Sequence, residues 1–188
     1  MTVSVERVLT NTVASVYHWL KNVQYALNST TGEETTPGTL EDHFTDLRIQ
    51  VGYPSDLARL TAPTLAVAEE DVRRVRERYF GGQLRPRVMR IQLYGFVVGQ
   101  KDSNGNTDTP RAESVSRLYR DRLKSDVYEL CVDAEDNVGI PLYEQASKTE
   151  IGMLEVVEPV IARVLPANAP EIEADRWKFL VELAVEAA

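Results

Sequence analysis

Apolar and polar residues alternate along VMRIQLYGFVVG, residues 88–99. Met89, Ile91 and Leu93 fall on one side of a period-two pattern, and the residues between them are polar or charged. Because successive side chains of a strand point to opposite faces of a sheet, this alternation predicts a β-strand. The second side becomes apolar near Phe96, which indicates a central strand that is covered on both faces there.

The run KDSNGNTDTP, residues 101–110, is rich in residues that favour turns, and it predicts a loop. Thr109 can cap a following helix, and Pro110 suits the first helical position because its missing N–H needs no partner there. Apolar residues then recur every three or four positions, which predicts an amphipathic helix with one buried stripe. The stripe consists of Val115, Leu118, Tyr119, Leu123, Val127, Leu130 and Cys131.

The same helical spacing occurs at the N-terminus, over residues 4–27, and predicts a long amphipathic helix. Pro141 and Pro159 lie in two strand-like runs and place those strands at an edge or a bend, because proline cannot donate a ladder hydrogen bond. Alternating or apolar runs predict strands at residues 47–51, 64–68, 140–143, 153–165 and 176–186.

The order helix, strands, helix, strands predicts an α+β fold, a mainly antiparallel sheet with two long helices packed on one face. We expect residues 1–188 to form a single domain with a long polar connection at residues 28–46 and a basic excursion at residues 69–87. The excursion fits a helix or a strand about equally, and its Gly81-Gly82 pair favours a hairpin. The other face of the sheet needs a cover, for which a partner subunit is one candidate.

The chain is acidic, with a formal net charge of −8 and a sequence pI of about 4.9. Excess acid argues against general nucleic-acid binding, which needs a cationic surface against phosphate. No apolar run approaches the roughly 20 residues that span a membrane, and the N-terminus lacks a secretory signal pattern. These features predict a soluble protein.

Candidates for catalysis are few. The two histidines, His18 and His43, belong to no recognisable catalytic motif. We therefore expect no enzyme, no catalytic residue and no cofactor, although a close cluster of His43 with two carboxylates in a deep pocket would change that interpretation. The one cysteine, Cys131, lies on the apolar stripe and is expected to be a buried small hydrophobe.

The loop after the central strand has a superficial likeness to a calcium-binding loop. Oxygen-bearing side chains at this spacing suit a hard cation. However, glycine stands fourth instead of sixth, a strand precedes the loop, and Pro110 takes a ligand position. We interpret the segment as an ordinary solvated connection without a metal. The oxygen-bearing residues are Asp102, Asn104, Asn106, Asp108 and Glu113.

Arginine is concentrated in and beside the excursion. Three interpretations remain open: a solvated face with ion pairs inside the chain, a contact between subunits, and a contact with passing DNA. The residues are Arg73, Arg74, Arg76, Arg78, Arg85, Arg87 and Arg90.

The order of elements resembles the tail terminator proteins of long-tailed bacteriophages, also called tail completion or neck proteins. The strand MRIQLYGFVV, the helix RLYRDRLKSDVYELC and the short strand GIPLYE carry the resemblance, together with the long N-terminal helix and the two C-terminal strands. It covers most of the chain as a pattern of elements, and residues 28–46 and 69–87 depart from it.

The resemblance implies an α+β sandwich and a homohexameric ring that caps the tail tube, ends its polymerisation and joins it to the head-side connector or stopper protein. It implies that DNA passes through the lumen without sequence-specific binding, and that the protein is made in the host cytoplasm and becomes part of the virion tail. It implies no catalytic, cofactor or metal residue. In such a ring each copy offers two different patches to its neighbours.

Charge complementarity suggests which residues make these contacts. The alternatives from other classes are a small soluble enzyme with a loop-borne site and a non-viral adaptor that forms no ring. The suggested contact residues are Arg74, Arg76 and Arg78 of the excursion, with Glu33, Glu34, Glu41 and Asp42 of the connection as acidic counterparts.

Overall fold

The computed structural model describes residues 5–26, 36–55, 59–69, 88–144, 149–165 and 177–187. The described strands form one six-stranded sheet in the order β1-β2-β3-β6-β5-β4. In chain order the elements are α1 (Val5–Asn22), α2 (Leu40–His43), β1 (Arg48–Val51), β2 (Thr64–Glu69), β3 (Met89–Val97), α3 (Pro110–Asp133), a π-helical turn (Ala134–Val138), β4 (Ile140–Tyr143), β5 (Glu150–Leu165) and β6 (Trp177–Ala187).

The sheet is mixed and mostly antiparallel, which confirms the predicted α+β class. Strands β1 and β2 run parallel, and the other neighbouring pairs run antiparallel. The strand predicted to be central, β3, lies between β2 and β6, and Phe96 on its second face is buried. The antiparallel pairing of β2 with β3 means that the chain reverses direction between them, while the conformation of residues 70–87 lies outside the described residues.

One face of the sheet packs against both helices. Val67, Leu93 and Val181 lie side by side across β2, β3 and β6, and all three are buried. Val16 of α1 and Leu123 of α3 belong to the same apolar core. The alternation that predicted these strands therefore marks the face that meets the helices.

Close contact between β3 and β6 depends on Gly95. This residue pairs directly with Phe179, whose ring is fully buried and lies over the glycine. A methyl group at Gly95 would overlap the ring, so the position requires a residue without a side chain.

The prediction of two long helices is wrong. Of the helices described, α3 has 24 residues and runs on into the π-helical turn, whereas α1 has 18 and ends at Asn22 instead of residue 27. The Asn22 side chain donates to the carbonyl oxygen of His18 at 2.7 Å. Three residues later, Tyr25 forms an antiparallel bridge with Gly38, which requires extended backbone and ends the helix.

The predicted stripe of α3 is correct only in its C-terminal half. Leu123 and Cys131 are buried, but Val115 and Leu118 are exposed, and burial passes instead to Ala112, Ser116 and Arg120. The N-terminal half packs against the chain that follows β3, where the backbone N–H of Gln100 donates to Ser116 Oγ at 2.8 Å. Small side chains are favoured where a backbone approaches closely. The pattern of apolar residues therefore predicted the wrong buried side for the N-terminal half of α3.

Helix α1 contacts both β4 and β1, the strands at opposite ends of the sheet, so the sheet curls around it. The backbone N–H of Tyr143 in β4 donates to Ser15 Oγ at 2.9 Å, and the ring of His18 packs edge-on against Tyr143. These contacts cover β4. None of the described helices is both long and apolar enough to cross a membrane.

Gly139 connects the π-helical turn to β4 and meets two separate requirements. Its φ angle is +73°, which is left-handed backbone, and its N–H donates to the carbonyl oxygen of Ala134 at 2.9 Å. A Cβ atom at this position would lie 2.6 Å from the carbonyl oxygen of Leu154, which belongs to the sheet backbone and cannot turn aside.

Replacing Gly139 with alanine should lower the free energy of unfolding by about 3 kcal/mol, because backbone strain and a steric clash act together. Gly105 is the matched control, since its φ angle is +85° and nothing lies within 4 Å of the position that a methyl group would take. Gly105→Ala should cost only about 1 kcal/mol. Urea unfolding measures both losses, and equal losses would contradict this account of Gly139.

Candidate functional site

The predicted basic contact residues lie outside the described part of the chain. Arg74, Arg76 and Arg78 belong to residues 70–87, and their role in contacts stays a prediction. At the border of this segment, Arg90 of β3 is described, and its guanidinium lies 3.1 Å from Glu158 Oε2 of β5. This ion pair is exposed and lies on the sheet face opposite the helices.

Of the four predicted acidic counterparts, two lie in the described part of the chain and two lie outside it. Glu33 and Glu34 lie outside the described residues. Asp42 Oδ2 accepts hydrogen bonds from both the backbone N–H and the hydroxyl of Thr39 at 2.8 Å. The backbone N–H of Asp42 donates in return to Thr39 Oγ1, which completes a capping box for α2. Glu41 lies 3.5 Å from Lys21 Nζ in a half-exposed pair. Both described carboxylates therefore have partners inside the chain, and a further role towards a neighbour stays a prediction.

The loop with the calcium-like spacing is organised by Asp102. Its Oδ1 atom accepts from the backbone N–H groups of Asn104 and Asn106 at 2.8 and 3.0 Å, and its Oδ2 accepts from the Thr109 hydroxyl at 2.9 Å. Thr109 in turn caps α3 by accepting from the Ala112 N–H. These donors favour the ionised carboxylate and hold the pKa of Asp102 below its ordinary value.

Asp102→Asn should lower the thermal midpoint at pH 7, because an amide cannot reproduce all three accepted hydrogen bonds. A carboxyl whose pKa is lowered by folding stabilises the fold above its unfolded value of about 3.9 and loses that contribution as the pH falls through the folded value. The difference between parent and variant should therefore shrink below about pH 4. Thermal unfolding from pH 7 to pH 3 measures it, and a difference that stays constant would contradict the assignment.

A second polar cluster joins the chain just after α1 to α2 and α3. The Tyr25 hydroxyl donates to Asp126 Oδ2 at 3.0 Å, and His43 Nε2 lies 3.0 Å from the Tyr25 carbonyl oxygen, so this nitrogen carries the proton. The rings of Tyr25 and His43 pack edge to face with centroids 4.8 Å apart. Tyr25 therefore links His43 to Asp126, and the cluster connects three segments that are distant in sequence.

Asp126 is buried on α3, and burial raises its pKa to about 6. The hydrogen bond from Tyr25 acts in the opposite direction because it stabilises the carboxylate. Glu129 raises the pKa further, whereas Arg122 and His43 lower it. A buried carboxylate that is largely ionised at neutral pH costs stability. The sequence analysis did not single out Asp126, although it stands next to Val127 and between Leu123 and Leu130 of the predicted apolar stripe.

Asp126→Asn should stabilise the protein at pH 7 by roughly 1–2 kcal/mol, because the amide keeps the acceptor for Tyr25 and removes a buried charge. Since folding raises the pKa, the parent should lose stability as the pH rises from about 4 through about 6. The variant should show a flatter profile in urea unfolding across this range. Asp136→Asn, on an exposed position after α3, is the control and should behave like the parent. A variant less stable than the parent at pH 7 would contradict the assignment.

Cys131 is fully buried on α3, as predicted, and burial raises the pKa of its thiol to about 12. Within the described ranges, no group of three or more His, Cys, Asp or Glu side chains is placed to hold a metal ion.

The surface that stands out belongs to β5. This strand has 16 residues, but its neighbour β4 has four and pairs only along the stretch from Glu150 to Leu154. We call residues 155–165 the open rim of β5, because no described strand pairs with them on that side. Exposed apolar side chains lie along the open rim at Val157, Ile161 and Val164.

Proline interrupts the pairing of the open rim. The register between β5 and β6 shifts between Val156 and Glu158 and again between Glu158 and Ile161, on either side of Pro159. The prediction that Pro159 bends the strand or marks an edge is confirmed. Beyond Ile161 the pairing with β6 is regular as far as Leu165.

The sheet face opposite the helices is partly apolar. Tyr53, which follows β1, packs edge-on against Tyr94 and Phe96 of β3, with ring centroids 5.1 and 5.4 Å apart. Phe96 and Leu180 are buried, whereas Tyr53 is exposed. Aromatic groups of the chain itself therefore cover part of this face, and the face becomes open towards β5.

Sequence reasoning found β5 but not its open rim. Alternation correctly assigned Leu154 and Val160 to the buried face. Val157 and Ile161 stand at odd positions, which the same alternation assigns to the opposite face, so their exposure agrees with it. The two register shifts beside Pro159 leave Ile161 on that face, opposite Glu182. The mismatch in length between β4 and β5 was readable from the predicted bounds 140–143 and 153–165, but strand order was not.

Neither a scan against models of known protein families nor a search of curated proteins finds a match for this chain.

Proposed function

We propose that this chain is a structural subunit that assembles into a closed ring, the role implied by its resemblance to tail terminator proteins. The observation that carries the proposal is the open rim of β5. Unpaired strand backbone beside exposed valine and isoleucine side chains is a surface that proteins normally cover. A contact with another copy of the chain would cover it.

The open rim also has features that limit indiscriminate pairing. Pro159 removes one donor, and the bulges on either side of it disturb the regular spacing that a passing strand would need. Charged residues, such as Glu158 and Arg163, interrupt the apolar ones. Such features favour one shaped partner over open-ended strand addition.

A ring follows if the open rim meets a different patch on the next copy, because a head-to-tail contact closes when its rotation divides a full turn. Six copies, a seat on the end of the tail tube, arrest of tube growth and a junction with the head-side connector are the parts of the proposal that come from the resemblance. The net charge of −8 supports passage of DNA through the lumen without retention.

Ile161→Lys should weaken or abolish self-association without lowering the thermal midpoint, because the side chain is 55% exposed in the single chain. Leu118→Lys on α3 is the matched control, since that leucine is 59% exposed and belongs to a helix, not to an edge of the sheet. Native mass spectrometry across protein concentrations measures the assembly.

The expected result is a uniform closed oligomer for the parent and for Leu118→Lys, and smaller species for Ile161→Lys. A parent that stays monomeric at every concentration would contradict the proposal, and so would an Ile161→Lys variant that assembles like the parent. Addition of the assembled ring to a growing tail tube protein then tests the terminating role, and undiminished tube growth would contradict it.

A further inference from the structure

An acidic pair lies at one end of the open rim. Glu155 of β5 and Glu186 of β6 are directly opposite each other in the strand pairing. Glu186 alternates with the core residue Val185, so both carboxylates project from the face opposite the helices. Like charges directly opposite on neighbouring strands destabilise a sheet unless a cation lies between them.

The neighbouring acidic residues on this face show how such a charge is ordinarily balanced. Glu158 pairs with Arg90 at 3.1 Å, and Glu182 pairs with Arg163 at 3.0 Å. Within the described part of the chain, Glu155 and Glu186 have no comparable ion pair. A guanidinium group suits this position, because its planar fork can donate to carboxylates on both sides.

We infer that this acidic pair, with the apolar residues Val157 and Ile161 beside it, binds the arginine-rich stretch 72–79 of a neighbouring copy of the chain. The inference rests on the proposed ring and names the second patch that its head-to-tail contact needs.

The stretch reads VRRVRERY and interleaves arginines with Val72, Val75 and Tyr79. It therefore offers both kinds of group that the open rim requires, cations for the carboxylates and apolar side chains for Val157 and Ile161. Such charges set the register of an interface, while the apolar contacts supply most of its stability. Of the interpretations open for these arginines, the surface on β5 favours the subunit contact.

The stretch belongs to the connection between β2 and β3, and β6 separates β3 from β5 in the sheet. The start of β3 nevertheless lies near the acidic pair of the same chain, because Arg90 of β3 reaches Glu158 of β5 across β6. The same stretch within one chain is therefore the competing occupant, and the mixing experiment below distinguishes it from the stretch of a neighbouring copy. A neighbouring copy is the occupant that satisfies the requirement of a ring, in which two different patches meet.

Two reversed-charge variants test the inference. One carries Glu155→Arg with Glu186→Arg, and the other carries Arg74→Glu with Arg76→Glu. Each alone should raise the concentration needed for half-assembly by at least about tenfold, because like charges then face each other across the contact. An equimolar mixture should recover assembly, since contacts that join opposite charges then become available between the two variants.

The control for the rim variant is Glu129→Arg with Glu135→Arg, which makes the same change of charge on exposed positions of the long helix and its π-helical turn. This control should assemble like the parent. Native mass spectrometry at low salt measures assembly, and thermal unfolding of each variant shows that it is folded.

The outcomes separate this inference from the proposed ring. If the parent assembles but the reversed variants assemble equally well, the inference is wrong and the ring stands. If only a single chain carrying all four changes recovers assembly, and the mixture does not, the contact lies within one chain and the inference is again wrong. A parent that never assembles overturns the ring and the inference together.

Discussion

A β-strand leaves half of its backbone hydrogen-bonding groups without a strand partner wherever it has a neighbour on one side only. In this protein the constraint falls on β5, which has 16 residues beside the four residues of β4. β4, which is the strand at this end of the sheet, is covered by α1 through Ser15 and His18. β1, at the opposite end of the sheet, also has one strand neighbour but only four residues, so the open rim is the longest stretch of described strand backbone without a second neighbour.

The core explains why β5 keeps its position without a second neighbour. Its pairing with β6 extends from Leu154 to Leu165, and β6 is anchored in turn by β3, where Phe179 lies over Gly95. Buried contacts on the helix face therefore hold β6 in place. β5 pairs with β6 along one side and has its open rim on the other. A long strand held firmly along one side is a rigid surface, which suits assembly better than a mobile loop does.

Much of the fold could be predicted from local patterns. Period-two alternation located the strands, and the Thr109-Pro110 pair located the start of α3, because both signals reflect geometry within a few residues. The end of α1 could not be predicted, since it depends on the bridge between Tyr25 and Gly38. The buried face of α3 was misassigned near Ser116 because a loop backbone, and not an apolar side chain, packs there. The candidate surface needed strand order, which arises from contacts distant in sequence, whereas the arginine and glutamate charges that bear on it were visible from the start.

The central claim is that copies of this chain cover the open rim of β5 against one another. Amide hydrogen exchange measured at a concentration that favours assembly and at one that favours the single chain tests this most directly. The account predicts that peptides spanning residues 155–165 become protected on assembly, while peptides from the C-terminal half of α3 exchange alike in both conditions. Equal exchange along β5 at both concentrations, in a protein whose mass shows that it has assembled, would contradict it.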